Sequence, residues 1–192
     1  TVALTGDGGD EVFAGYNRHI FAPRAWNFVS KVPPVLRQCL KPFGNVLESF
    51  SKLESNSARA LAAKMKLPAS TLNKFGRLSH LISVSDNLVA FHQGLTRQMD
   101  EPEQFLKSKC RSDSEGSNQL ASLSPLERML VHDSKNYLSS DILVKVDRAA
   151  MSASLETRAP FLDPRILRAA WNIGDEHKVA AFTGKAVLRN IL

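Results

Sequence analysis

The chain has 192 residues, 43% of them hydrophobic, with a formal net charge of +6. That composition suits a globular core and excludes disorder; no run nears the roughly 18 apolar residues of a membrane span, and the first residues lack the regions of a signal peptide. Cys39 and Cys110 have no paired spacing, which excludes a disulfide scaffold or a CxxC zinc site and fits a reducing, cytoplasmic setting.

The lysines and arginines are interleaved with 19 acids, so the positive balance reads as a soluble surface with some preference for anions, not as a nucleic-acid arm. The apolar run Val2, Ala3, Leu4 predicts a short buried strand stopped by Gly6. Because that run stands almost at Thr1, a piece of a longer chain is expected. Asp10 is the predicted cap of a helix carrying Val12 and Phe13. Pro23, Pro33, Pro34 and Pro42 then punctuate short helices. Val35, Leu36, Cys39, Leu40, Phe43, Val46, Leu47 and Phe50 recur at helical spacing. Ser57 is expected to cap a helix with Leu61 and Met65. A further helix follows Ser85, with Leu88, Val89, His92 and Leu95 on one face. Residues 107–122 have no apolar period and read as a flexible loop.

Order returns at "SPLE", where Ser124, Pro125 and Glu127 form a capping box before Leu126, Met129, Leu130 and Tyr137. A second helix is expected over "SSDILVKVDRAAMSAS", with Ile142, Val146 and Ala149 or Ala150 on one side. Asp163-Pro164 starts another, carrying Ile166, Leu167, Ala170 and Trp171, with Gly174 just past its end. Lys185 to Leu192 reads as a last helix. The expected fold is mainly α, with one or two short N-terminal strands.

Two stretches can carry chemistry. "TGDGGDE", residues 5–11, is a glycine-rich turn between strand and helix. Such a turn brings backbone N–H groups close to an anion. Asp7, Asp10 and Glu11 would repel a phosphate unless a divalent cation lies between. The plain alternative is a solvated turn with a capped helix. The D-x-[DN]-x-[DN]-G alternation of an EF-hand is absent, and no Gly-Lys-Ser or Gly-Lys-Thr follows as in a Walker A loop. "TGKAVLR", with Lys185, imitates a Walker A tail but lacks its other residues. The second stretch, "DILVKVDRAAMSASLETRAPFLD", sets Lys145, Asp147, Arg148, Glu156 and Arg158 among small and apolar residues. Core-like neighbours on both sides of Glu156 and Arg158 predict an ion pair or a ligand pocket there; a helix with a solvated face is the alternative.

"LTGDGGDEVFAGYNRH" together with "DILVKVDRAAMSASLETRAPFLDPRI" resembles the C-terminal synthetase domain of glutamine-hydrolysing asparagine synthases, with β-lactam synthetases as relatives. The resemblance implies a partial synthetase domain over 1–192, within an α/β adenine-nucleotide α-hydrolase-like fold. It lacks the family's SGGxDS loop, its glutaminase domain and a late lysine in a segment like "RPK". The implied activity is adenylation of the aspartate side chain with ATP and Mg²⁺, followed by attack of glutamine-derived ammonia. Asp7 and Glu156 are the implied catalytic residues. Thr5, Gly6, Gly8, Asp10 and Arg158 are implied to bind the nucleotide or border its pocket, with Asp10 as the metal ligand. The implied partners are aspartate, ammonia and the glutaminase domain of the same chain, with a homodimer as one arrangement and neither nucleic acid nor membrane. An amide-forming relative acting on another carboxylate, or a helical interaction module without activity, are the alternatives.

Overall fold

Strand β1 (Val2–Leu4) forms where its apolar run predicts, and its partner comes from the far end of the sequence. The computed structural model describes residues 1–39, 42, 78–96, 120, 122–180 and 182–192. The expected helix after Ser57, most of the Leu40–Phe50 run, Cys110 and nearly all of the 107–122 loop lie outside them. The chain divides into two compact units, Thr1–Arg24 with Met99–Leu192, and Ala25–Gln98.

In the first unit, β1 pairs in parallel with β2 (Glu156–Arg158), in the register Val2↔Glu156, Ala3↔Thr157, Leu4↔Arg158. Side chains alternate across a strand, so Val2, Leu4, Glu156 and Arg158 share one face. Val2 is 55% and Leu4 75% exposed, so β1 is a strand but not a buried one: nothing described covers that face. A hairpin, β3 (Val179–Ala180) with β4 (Thr183–Gly184), is antiparallel. Among the described residues only β1 is N-terminal, so the expected one or two N-terminal strands become one, and the other three lie late in the chain. The architecture is mainly helical, as expected.

Helix α1 (Gly9–Val12) is capped by Gly8, with no side-chain cap bond. Asp10 is therefore inside the helix, not its cap: the left-handed Gly8 starts the turn two residues early. Helix α2 (Asn17–Val29) carries Pro23 in its interior, where a break was expected. Proline costs a helix hydrogen bond, and the boundary between the units falls just after it.

The capping box forms as predicted: Glu127 N–H donates to Ser124 Oγ at 3.1 Å and Ser124 N–H to Glu127 Oε2 at 2.7 Å. It opens α5 (Pro125–His132), with Leu126, Met129 and Leu130 buried. No break follows. A π-helix (Asp133–Ile142) continues directly into α6 (Leu143–Ser152). None of the residues of α6 is fully buried, but Val146 and Ala150 are half-buried on the side expected, with Ile142 one turn before them, while Ala149 is exposed. Asp163 caps α7 (Pro164–Trp171) by accepting from Arg165 N–H at 2.8 Å. Gly174 lies just past the end of α7, whose cap is Asn172, and begins α8 (Asp175–Lys178). Helix α9 (Ala186–Ile191) ends the chain. Val12, Phe13 and Ala170 form a core cluster, with Phe161, Ile166, Leu167, Val187 and Leu188 against it; Trp171 is 38% exposed.

In the second unit, Pro34 opens α3 (Pro34–Gln38), and residues 78–84 are helical. Helix α4 (Leu88–Thr96) follows. Its capping oxygen is Asn87 Oδ1, which accepts from Ala90 N–H at 2.9 Å. Leu81, Phe91 and His92 are buried, while Val35 and Leu36 are exposed. Arg37 donates to the Ser85 carbonyl at 3.3 Å, and the Trp26 and Phe91 rings lie 5.9 Å apart. Among the described residues no helix is long and apolar enough to cross a membrane.

Candidate functional site

Both strands of the parallel pair run toward the same end, and both predicted motifs lie there. β1 leads into the Thr5–Gly8 turn, and β2 leads into a 3₁₀ turn (Pro160–Leu162). Thr5 N–H donates to the Arg158 carbonyl at 2.8 Å, and Glu156 N–H to the Thr1 carbonyl at 3.0 Å. In open α/β sheets the carboxyl ends of parallel strands are where ligands settle.

The glycines differ in what demands them. Gly6 has open space where a Cβ would stand, so its backbone is free to approach a ligand. Gly8 has φ 83°, and a Cβ there would strike the Leu162 side chain. A Cβ on Gly9 would lie 3.2 Å from the Phe161 ring. The "PFLD" segment thus packs on the turn, with the Phe13 and Phe161 rings edge-on at 5.8 Å. Left-handed backbone and packing both call for glycine at position 8, while Gly6 has the open space.

Asp7 lies half-buried in the turn. Asp10 Oδ1 lies 3.1 Å from Lys185 Nζ. Lys185 stands at the cap of α9 with φ 55° and ψ 34°, a left-handed backbone that costs a non-glycine residue roughly 1–2 kcal/mol. The chain tolerates it because Lys185 N–H donates to the Phe13 carbonyl at 3.1 Å. Ala14, in the facing turn, is also left-handed, at φ 57°. Thr5 Oγ1 is buried with no hydrogen-bond partner among the described residues. An unpartnered buried hydroxyl is costly, of order 1–3 kcal/mol, which suits a group that meets a ligand.

Behind the turn lies a buried polar network. Glu11 is 1% exposed and accepts from the Tyr16 hydroxyl at 2.6 Å. Burial, then the hydrogen bond to Glu11, push the Tyr16 hydroxyl well above the usual phenol range. Asp133 Oδ2 accepts from Arg18 Nε at 3.0 Å and lies 2.7 Å from His19 Nε2. The Arg18 guanidinium also lies over the Tyr16 ring at 3.8 Å. These bonds fasten α1 and the start of α2 to the π-helix, so the carboxylate of Asp10 is carried on an anchored turn.

Glu156 and Arg158 do pair, with Arg158 Nε donating to Glu156 Oε1 at 2.8 Å. The pair is exposed, with side chains 54% and 69% accessible. The core-like surroundings expected from sequence are found on one side only: Phe161 packs against the Val12, Phe13 and Ala170 cluster, whereas Met151 is 62% exposed. Short segments of apolar residues need a facing layer to become core, and none of the described residues provides one over Met151. The strand character of Glu156–Arg158 carried no sequence signal, because three consecutive polar residues show no apolar alternation.

Lys185 is the residue that sequence reasoning passed over. In sequence its "GK" reads only as the tail of a phosphate loop. The informative feature was the glycine before it: a Cβ on Gly184 would strike the Ala14 carbonyl, which draws Lys185 against the turn.

The family profile described as "Asparagine synthase" matches residues 1–192. Asparagine synthetase [glutamine-hydrolyzing] 1 of Bacillus subtilis (strain 168) is 28% identical over 189 residues, 98% of this chain and 27% of that protein. A putative asparagine synthetase [glutamine-hydrolyzing] of Mycobacterium bovis is 41% identical over 68 residues, 35% of this chain and 10% of that protein. Asparagine synthetase [glutamine-hydrolyzing] 3 of Bacillus subtilis is 37% identical over 65 residues, 34% of this chain and 11% of that protein. The chain thus spans about a quarter or less of each of these relatives. No solved structure matches.

Proposed function

The chain belongs to the asparagine synthase family, and from that premise we propose that it supplies one wall of an ATP-dependent, amide-forming active site within a longer synthetase. The carrying observation is the parallel pairing of β1 with β2, which sets the Thr5–Asp10 turn beside the Glu156–Asp163 stretch at one strand end. The two motifs are some 150 positions apart in sequence and adjacent in space.

The reaction proposed has two steps. The β-carboxylate oxygen of aspartate attacks the α-phosphorus of ATP, and pyrophosphate leaves with its electron pair. Ammonia then attacks the resulting acyl carbon, AMP leaves, and the surplus amine proton passes to a base. A free carboxylate is inert to ammonia, so a leaving group must be installed first. In this reading the ammonia comes from glutamine in a glutaminase domain of the same chain, and the fold around it is the nucleotide α-hydrolase type.

The donor set fits a divalent cation with a polyphosphate. Asp10 already faces a cation, the Lys185 ammonium at 3.1 Å, and Thr5 Oγ1 awaits a partner. Asp10 would hold Mg²⁺, which neutralises charge building on pyrophosphate. Thr5 and Gly6 would bind the nucleotide by hydroxyl and backbone. Asp7 would orient the groups forming the acyl-adenylate. Arg158 would border the nucleotide and substrate pocket, and Glu156 would orient the incoming amine or accept its proton.

The test is Asp10→Asn in the complete natural protein. Synthesis is expected to fall by roughly a hundredfold or more, the scale of a lost transition-state charge contact, with glutamine hydrolysis retained. Synthesis near wild type at saturating Mg²⁺ would leave Asp10 as no more than a helix residue.

A further inference from the structure

One charged group beside the turn has no role in that reading. Lys185 Nζ lies 3.1 Å from Asp10 Oδ1, with 30% of the lysine side chain and 37% of the aspartate accessible. A pair so open to solvent contributes little to stability. Yet the backbone on both sides is constrained to make it. Lys185 is left-handed, and its N–H is tied to the Phe13 carbonyl. Gly184 leaves no room for a Cβ against the Ala14 carbonyl, and a Cβ on Gly15 would strike both the Asp10 carboxylate and Lys185 Cε. Strained backbone persists where its surroundings overdetermine it, and it clusters at ligand sites. Here the constraints converge on one ammonium aimed at one carboxylate, on the turn that also holds the unpartnered Thr5 Oγ1.

We propose that Lys185 is a cationic placeholder of the Asp10 site, which exchanges the carboxylate for phosphate oxygens of a nucleoside triphosphate when a divalent cation takes its place. The proposal rests on the nucleotide reading of the turn. Asp7 and Asp10 would repel a polyphosphate, and an ammonium beside them offsets that charge. A lysine has a flexible stem and three rotatable donors, so it can change partners while its strained backbone stays fixed. With nothing bound, the same ammonium keeps Asp10 neutralised and oriented.

The experiment measures free Mn²⁺ binding by electron paramagnetic resonance and Mn·ATP binding by calorimetry, on the complete protein. Lys185→Met, Lys185→Gln, Lys185→Arg and Asp10→Asn are compared with wild type, each with a melting curve. Met and Gln should bind free Mn²⁺ more tightly, because a competing cation is gone. They should bind Mn·ATP about tenfold or more weakly, the scale of a lost charged hydrogen bond. Arg should keep both affinities near wild type, and it remains informative if Met and Gln fail to fold: both affinities moving as in a charge loss would overturn the proposal. So would unchanged affinities in folded Met or Gln, or weaker ATP binding with no gain for free Mn²⁺. If wild type shows no Mn·ATP binding that Asp10→Asn abolishes, the nucleotide reading itself fails and the proposal falls with it.

Discussion

The Thr5–Gly15 turn and helix α6 read alike in sequence, since each mixes charged, small and apolar residues beside a proposed site. In space they are opposites. Gly8, Gly9, Glu11, Val12, Phe13 and Ala14 are buried, and Leu162, Phe161 and Lys185 crowd the glycines of the turn. Helix α6 has no buried residue. Its Lys145 pairs with Asp141, one helical turn back at 2.6 Å, and that hydrogen bond raises the lysine above its usual range. In the turn, steric contact fixes the charged groups. On α6 the same composition makes a solvated face.

The sharpest way to break this contrast is Gly184→Ala. The added methyl meets backbone, the Ala14 carbonyl, which cannot swing away as a side chain can. A loss of about 1–3 kcal/mol is expected, the usual cost of overpacking, read by chemical denaturation of the complete protein. It should bring weaker Mn·ATP binding as the Lys185–Asp10 pair separates. Wild-type stability and binding would mean that the two turns do not hold each other.

Glu156→Gln should separate chemistry from fold at the exposed edge. The pair with Arg158 is open to water, and such pairs are worth about 0–1 kcal/mol, so melting should stay near wild type. Synthesis should fall by roughly a hundredfold if the carboxylate handles the amine proton. A large drop in melting temperature with full activity in the folded remainder would make Glu156 structural.

A smaller effect is expected at the cap of α7. The Arg165 hydrogen bonds hold the Asp163 carboxyl at about 2, below its ordinary 3.8. A carboxyl lowered in the folded state adds stability above its unfolded value and loses it as the pH falls through the folded one. The melting difference between wild type and Asp163→Asn should therefore be largest above about pH 4 and shrink toward pH 2. A difference independent of pH would show that the charge plays no part. The smallest effect belongs to α6: Lys145→Ala should melt and catalyse like wild type, and a loss of synthesis would return that helix to the site.

What sequence made legible was local. The Ser124 box, the Asp163 cap and strand β1 are set by neighbours within four residues, and each forms. Burial was less legible, because it depends on what lies opposite: Val2 and Leu4 are apolar yet face open space, and so does Met151. The cap of α1 falls at Gly8 and not Asp10 because the left-handed turn at Gly8, packed against Leu162, starts the helix two residues earlier. The π-helix shares its composition with an α-helix and differs only in which carbonyl each N–H reaches, as in Leu143 N–H to the Leu138 carbonyl. Contacts across the chain were least legible. The two motifs could be named from sequence, but the parallel pairing that joins them and the approach of Lys185 to Asp10 are products of tertiary packing.

The most direct measurement of the proposed chemistry follows one oxygen. Aspartate labelled with ¹⁸O in its β-carboxylate is turned over by the complete protein with ATP, Mg²⁺ and ammonia, and the phosphorus products are read by mass spectrometry. Attack of the carboxylate on the α-phosphorus predicts one labelled oxygen in AMP, with unlabelled pyrophosphate, and loss of that transfer in Asp10→Asn. Label in inorganic phosphate with ADP as the other product, or unlabelled AMP, would contradict it.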